Sequence, residues 1–230
     1  MKVMFWNLMR LGATTTDVRK EAIEYMTKNR LAPDLALFCE LLAGATDIPA
    51  QNVSYRKENP YQLCYGAMDG AGNSVDLVRY APDANDDYKA AGFSGGNNFK
   101  QLCDRAPAHV GKFAGVDLYV IHAPANHEAA LKVMSFLVAG LVKHHGANPW
   151  MVIGDLNVPP EVLQDSPVKP GGNDMGDYIL ESGARTHWSK RTDRTLDYAV
   201  CNFVDQAEIA SIWVSPRRNP SDHIPIVVTW

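Results

Sequence analysis

Short apolar runs, each stopping at one polar residue, constrain this chain more than any other feature. Trp150 to Ile153 is apolar, rich in strand formers, too short for a helix, and stopped by Gly154. Asp155 and Asn157 follow with Leu156 between them, so a strand's period of two turns a carboxylate and an amide to one side before Pro159-Pro160 closes the loop. An anionic oxygen beside a neutral donor and acceptor suits a divalent cation holding a phosphate, although Gly, Asp and Asn also serve ordinary strand-to-turn junctions. The pattern recurs. Lys2 to Leu8 carries Asn7, Leu35 to Cys39 ends on Glu40, Val116 to Ile121 ends on His122, and Ile224 to Val228 follows Ser221-Asp222-His223. Strands that each deliver one metal-type or proton-transfer residue gather catalytic groups at one edge of a sheet sandwich.

The 230 residues, 46% of them hydrophobic, suffice for a substantial core, and one domain over residues 1–230 is expected. A formal charge of -4 and a pI near 6.0 exclude the global basic field of a high-affinity nucleic-acid scaffold. They leave room for a nuclease, which must release its product and whose bound cations offset acidic charge at the site. Cys39, Cys64, Cys103 and Cys201 show no CxxC or zinc-type spacing, and Cys39 and Cys201 inside apolar runs read as buried thiols. No apolar run reaches transmembrane length, and Asn7 and Arg10 interrupt what a signal peptide needs unbroken. The chain therefore reads as soluble, either intracellular or secreted with a removed signal.

Thr14 to Asp17 offers a cap for a helix carrying Val18, Ala22, Tyr25 and Met26, which ends at Asn29 and Pro33-Asp34. Gln62 to Ala67 and Ser74 to Tyr80 flank a Gly- and Asn-containing turn and predict a hairpin; Asp83 to Asn98 predicts an exposed loop. A second hairpin joins Ala106 to Phe113 and Val116 to Ile121. Asn126 caps a helix with Ala130, Val133, Met134, Leu137 and Leu141 on its buried stripe and His144 and His145 at its end; a short helix is expected over Asp174 to Glu181. Arg185, Lys190, Arg191 and Arg194, interleaved with His187 and Trp188, form either a nucleic-acid-tracking patch or a solvated loop face. His109, His127 and His187 read as structural or surface residues. Patterning alone gives a mixed α and β chain with substantial antiparallel content.

Asn7, Glu40, His122, the GDLN of 154 to 157, the LDY of 196 to 198 and the SDHIP of 221 to 225 stand in the order and rough spacing of the endonuclease/exonuclease/phosphatase superfamily. The resemblance spans nearly the whole chain. Within that superfamily, the RTDRTLDYAV of 191 to 200, WMVIGDLN and IHAPAN are most similar to the catalytic B subunits of cytolethal distending toxins. It implies the deoxyribonuclease I-like fold: α+β, a four-layer α/β/β/α sandwich of two mainly antiparallel sheets. It further implies a Mg²⁺-dependent phosphodiesterase, with Mn²⁺ a possible substitute, that nicks DNA. In such an enzyme Glu40, Asn7, Asp155, Asn157 and Asp222 supply metal oxygen donors, and His223, oriented by Asp197, is the general base. Asp155 takes part in catalysis, and His122 is the general acid or polarises the phosphate. Asn7, Arg105, Asn157, Arg191 and Arg194 hold substrate phosphates. DNA is the implied partner, toxin-type carrier subunits are further ones, and the catalytic domain is monomeric.

Two residues depart from the pattern. The histidine equivalent to His122 is usually paired with a glutamate from the first hairpin, where this chain offers only Asp76; Val158 stands where the toxin subunits usually carry a basic residue. Other readings on the same fold are a phosphoinositide or other phosphomonoester phosphatase and an inactive binding module. Cys39 before Glu40 sets the chain apart from abasic-site endonucleases, which usually carry Gln there.

Overall fold

The computed structural model describes residues 1–11, 23–42, 54–57, 63–71, 75–82, 86–92, 99–103, 105–188, 193–213 and 221–230. Their strands are β1 (Lys2–Leu11), β2 (Leu35–Leu42), β3 (Ser54–Lys57), β4 (Leu63–Asp69), β5 (Val78–Arg79), β6 (Ala108–Phe113) and β7 (Val116–His122). They continue with β8 (Trp150–Asp155), β9 (Ile179–Leu180), β10 (His187–Trp188), β11 (Asp193–Arg194), β12 (Asp197–Cys201), β13 (Glu208–Ser211) and β14 (Ile226–Thr229). One six-stranded sheet has the order β13-β14-β1-β2-β4-β3, another β5-β6-β7-β8-β12-β9, and β10-β11 make a separate ribbon. Each large sheet holds one parallel pair, β1 with β2 and β7 with β8, and is otherwise antiparallel.

Strand alternation explains how the sheets stack. Val3 and Phe5 of β1 and Leu35 and Leu37 of β2 share a buried cluster with Leu118 and Val120 of β7 and Met151 and Ile153 of β8, which is the slab between the sheets. Met4, Trp6, Ala36 and Phe38, of opposite parity, pack with Ile23 and Met26. On the far side Trp150, Val152, Tyr198 and Val200 pack with Ala130, Val133, Met134 and Leu137 from the helix His127–His145. The result is the four-layer α/β/β/α sandwich. Each large apolar side chain buried this way contributes about 1.5–3 kcal/mol. Asn126 Oδ1 accepts from Ala129 N at 3.0 Å and caps the long helix, which is buried on more than its expected stripe, with Phe136, Val138 and Ala139 enclosed as well.

Gly154 is required by close approach. It pairs with Ile121 across the parallel β7/β8 junction, where a Cβ would lie 1.9 Å from the Ile121 carbonyl oxygen.

Several sequence expectations differ from what folds. The runs at 62–67 and 74–80 do not form a hairpin: β4 pairs with β2 and β3, while β5 pairs with β6 in the other sheet. An apolar pattern marks a strand but not its partner, and the turn between these runs is where the chain changes sheets. The expected loop at 83–98 contains a helical turn, Asp86–Ala90. The helix expected over 174–181 is a 3-10 turn, Met175–Tyr178, followed directly by β9. The cap at Thr14 to Asp17 lies outside the described residues; the helical segment is seen from residue 23 onward and includes a wide π-type turn, Tyr25–Arg30. The β6/β7 hairpin forms as expected.

Candidate functional site

The parity that fills the inter-sheet slab also aims its polar continuation. Asn7 extends the series Val3, Phe5; His122 extends Leu118, Val120; Asp155 extends Met151, Ile153; and Asp197 precedes Ala199 and Cys201. His122, Asp155 and Asp197 occupy one row across the second sheet, with Asp155 paired to the other two. The slab thus turns from hydrocarbon to polar groups, three of them ionisable, at one edge, where all four residues are buried.

Glu40 reaches this edge by another route. By alternation it belongs with Ala36 and Phe38 on the outer face. The β2 register slips between Phe38 and Leu41, Glu40 takes φ 56°, and Leu41 then resumes the outer cluster. A bulge of this kind re-aims a side chain, and Glu40 Oε1 lies 3.4 Å from His122 Nε2.

Asp155 is the centre. Its Oδ2 accepts from Asn7 Nδ2 at 2.9 Å and lies 3.7 Å from His122 Nε2 and 3.8 Å from His223 Nε2, while its Oδ1 accepts from the Asn157 backbone N at 3.2 Å. Asn157 sits at φ 51° and donates its Nδ2 to the Ala123 carbonyl at 3.0 Å, so a left-handed turn rather than strand alternation places it. Asn7 Oδ1 accepts from Met9 N at 2.9 Å. Both amides therefore orient Asp155 and the surrounding backbone in this arrangement. The carboxylates of Glu40 and Asp155 converge on the same imidazole nitrogen, with Glu40 still 17% exposed. Two such oxygen donors at a point solvent can reach fit a hard divalent cation that keeps several waters.

On one side of Asp155, His223 Nδ1 donates to Asp197 Oδ2 at 2.7 Å. Asp197 N and Leu196 N both donate to Thr186 Oγ1, at 2.8 and 2.9 Å, and Trp6 Nε1 donates to the His223 carbonyl at 3.0 Å. Burial alone would lower the proton affinity of His223, but the Asp197, Asp155 and Asp222 carboxylates outweigh it and push its pKa up to about 10. On the other side Arg105 Nη1 lies 2.7 Å from His122 Nε2 and donates to the Ala123 carbonyl at 3.1 Å. An arginine can only donate, so Nε2 of His122 is the acceptor there. The His122 backbone N donates to Tyr65 at 3.0 Å. The pairing expected of Asp76 falls to other groups: Asp76 is exposed, and His122 faces Glu40, Asp155 and Arg105.

Asp222 stands apart from Glu40 in its contacts. Its Oδ2 lies 3.3 Å from His187 Nε2 and its Oδ1 3.7 Å from His223 Nε2. Burial raises its pKa, and the hydrogen bond from His187 and the charges of His223 and His187 more than offset this and hold it below the ordinary carboxylate value. Arg194 is half-buried and contacts His127 Nε2, whose Nδ1 donates to the Asn157 carbonyl at 2.6 Å. Arg191 and Lys190 lie outside the described residues. Sequence reasoning missed His127, His187 and Thr186, each without a motif around it. His109, His144 and His145 lie elsewhere, around Asp117 and Tyr119 on β7.

No protein-family model and no curated protein matches the sequence. Solved structures do match. CdtB, the biologically active subunit of cytolethal distending toxin, superposes with a TM-score of 0.62 at 16% identity, over 99% of this chain and 96% of that one. A humanized D. rerio TDP2 gives 0.64 at 15% identity, over 99% and 97%; a functionally unknown conserved protein from Enterococcus faecalis V583 gives 0.64 at 13%, over 100% and 98%. The likeness is one of fold, and the fold is the one implied by the sequence resemblance to the toxin subunits.

Proposed function

We propose that this chain is a metal-dependent phosphodiesterase whose substrate is DNA, nicked at single phosphodiester bonds, with the catalytic unit formed by residues 1–230 together. One observation carries the reading: the His223–Asp197 pair and the His122–Arg105 pair face each other across Asp155, with Glu40 re-aimed to meet them. The shared fold with CdtB and TDP2 supports it.

Glu40 and Asp155 hold the cation, Mg²⁺ by their hard oxygen chemistry. When bound, the cation neutralises charge on the phosphoryl oxygens and, by offsetting Asp155, lowers the proton affinity of His223. Asp197 fixes the ring of His223 with the proton on Nδ1, so that Nε2 faces Asp155 and takes the proton of the attacking water. Arg105 binds the phosphate being attacked from the side of Asp155 opposite His223, and His122, whose Nε2 accepts from Arg105, holds that guanidinium in place. Asn7 and Asn157 keep Asp155 in place. Asp222 tunes His223 by its charge.

The neighbouring ribbon favours a polymer over a lone headgroup. The His187–His223 bridge joins β10 to the site, and that segment presents Trp188, 49% exposed, and an exposed Arg185, while Arg194 pairs with His187 on β11. An exposed indole with flanking guanidiniums offers stacking and backbone contacts. The test is supercoiled plasmid nicking with Mg²⁺, with excess chelator, and beside short-chain phosphoinositides. Nicked circles with Mg²⁺ and none in chelator are expected. Hydrolysis of phosphoinositides with plasmid left intact would overturn the DNA reading, and undiminished nicking in chelator the metal.

A further inference from the structure

Beside the oxygen-rich pole of Glu40 and Asp155 lies a second cluster of different chemistry. His187, Asp222 and His223 offer one ligand atom each, all within 4.8 Å of one another. We infer that His187, Asp222 and His223 form a second metal site that captures a borderline transition ion, Zn²⁺ by preference, and that its occupation takes Nε2 of His223 out of catalysis. The inhibitory half of this inference rests on the role given to His223 above; the site itself does not.

Four features carry it. The donor set is two imidazoles and one carboxylate, which binds Zn²⁺ far better than Mg²⁺, and three protein ligands leave a fourth position for water. The spacing fits: ligands about 2.0–2.1 Å from a tetrahedral centre lie about 3.3 Å apart, and Asp222 Oδ2 to His187 Nε2 is 3.3 Å while Asp222 Oδ1 to His223 Nε2 is 3.7 Å. A modest turn of the carboxylate brings both rings onto one ion. His223 is already oriented for ligation, because its Nδ1 proton is held by Asp197 at 2.7 Å and Nε2 is therefore the nitrogen left to ligate. The backbone is fixed too: His187 and His223 form a β-bridge, Trp188 N donates to the Asp222 carbonyl at 2.9 Å, and Ile224 N donates to the Thr186 carbonyl at 2.8 Å.

One buried ligand atom shows that the cluster is not saturated by protein contacts: Asp222 Oδ1 finds no hydrogen-bond partner among the described residues. The rings stand 4.6 Å apart at 51°, tilted rather than stacked, and His187 and Asp222 keep 20% and 35% of their side chains open, which gives an ion its entry path.

The experiment is equilibrium dialysis of Zn²⁺ against the full chain in excess Mg²⁺, for wild type, His187→Gln and Glu40→Gln. One zinc is expected on wild type and on Glu40→Gln. His187→Gln should bind at least about tenfold more weakly, since even outer-shell partners of a zinc ligand are worth about 10–100-fold. Cobalt replacing zinc should give the absorption of a tetrahedral ion on wild type and lose it in the variant. If His187→Gln does not fold, as judged by its melting curve, His187→Asn takes its place. Equal zinc binding by wild type and a folded His187 variant overturns the site, as does loss of zinc binding in Glu40→Gln alone. In parallel, hydrolysis is measured as the ratio with and without zinc for each protein. Suppression in wild type and relief in the His187 variant support the inhibitory half. Full hydrolysis by zinc-loaded wild type overturns that half and counts against His223 as the proton acceptor, while the dialysis result stands by itself.

Discussion

At the scale of single residues, the His223–Asp197 pair decides most. If His223 is the general base proposed above, it acts on proton transfer in the transition state, so His223→Ala should lower the rate about 10²–10⁴-fold without loss of fold, read as kcat on plasmid and as an unchanged circular dichroism spectrum. The same pair has a stability signature. The folded pKa of His223 is raised to about 10, above the roughly 6.5 of a free imidazole, so its contribution is fully present below about pH 6.5 and is lost as pH rises towards 10. Melting temperatures of metal-free wild type and Asp197→Asn should therefore differ most near pH 6 and converge by pH 10. A gap that stays constant across that range would mean His223 carries no charge paired to Asp197. These two residues were legible in the sequence because each sits in a motif at a strand end. Thr186, which accepts from the Leu196 and Asp197 backbone, was not: a threonine within Arg185-Thr186-His187-Trp188 gives no periodic or compositional signal for bonds made across ten and eleven positions.

At the scale of elements, alternation accounts for the inter-sheet aim of Asn7, His122 and Asp155, whereas the expected pairing of Asn157 with Asp155 by alternation is made by a left-handed turn, and a bulge aims Glu40. Glu40 would face the outer layer in a regular β2; the register slip and the positive φ turn it to the site. A bulge leaves no mark in the pattern of apolar residues until the parity of Leu41 is compared with that of Phe38, and a single residue out of step is indistinguishable from noise. The separate partners of β4 and of β5 were likewise invisible, since long-range strand partners depend on the sheets and not on the runs themselves. The conformation of Glu40 is testable. A Cβ in the left-handed region costs about 1–2 kcal/mol, against the 0.5–1 kcal/mol or so that glycine usually loses to alanine inside a strand. Glu40→Gly should thus be more stable than Glu40→Ala by roughly 0.5–1 kcal/mol in urea titrations, the reverse of the ordinary strand ranking. Alanine ranking above glycine would show that β2 is regular there. Neither variant should hydrolyse substrate at a measurable rate.

At the scale of the whole molecule, an acidic chain must grip a polyanion locally. On the DNA reading proposed above, a formal charge of -4 supplies no net attraction to a polyanion, so binding would fall to cations near the site edge. Arg105 and Arg194 occupy different places in that edge. Arg105 bonds to His122 and the Ala123 carbonyl at the centre, whereas Arg194 contacts His127 beside the Asn157 loop, where a flanking phosphate of a polymer would pass. Each phosphate contact releases counterions and adds about 0.9 to the slope of log affinity against log salt for duplex DNA. Arg194→Ala should therefore reduce the salt slope of DNA binding by close to one unit, weaken binding evenly across sequences, and leave kcat at saturating DNA within about threefold. Arg105→Ala should instead lower kcat itself, because its donor sits where the attacked phosphate collects charge. Binding isotherms over a salt series, together with saturation kinetics, separate the two. A slope unchanged by Arg194→Ala would remove the flanking contact, and with it the part of the site that distinguishes a nucleic-acid backbone from a single phosphate.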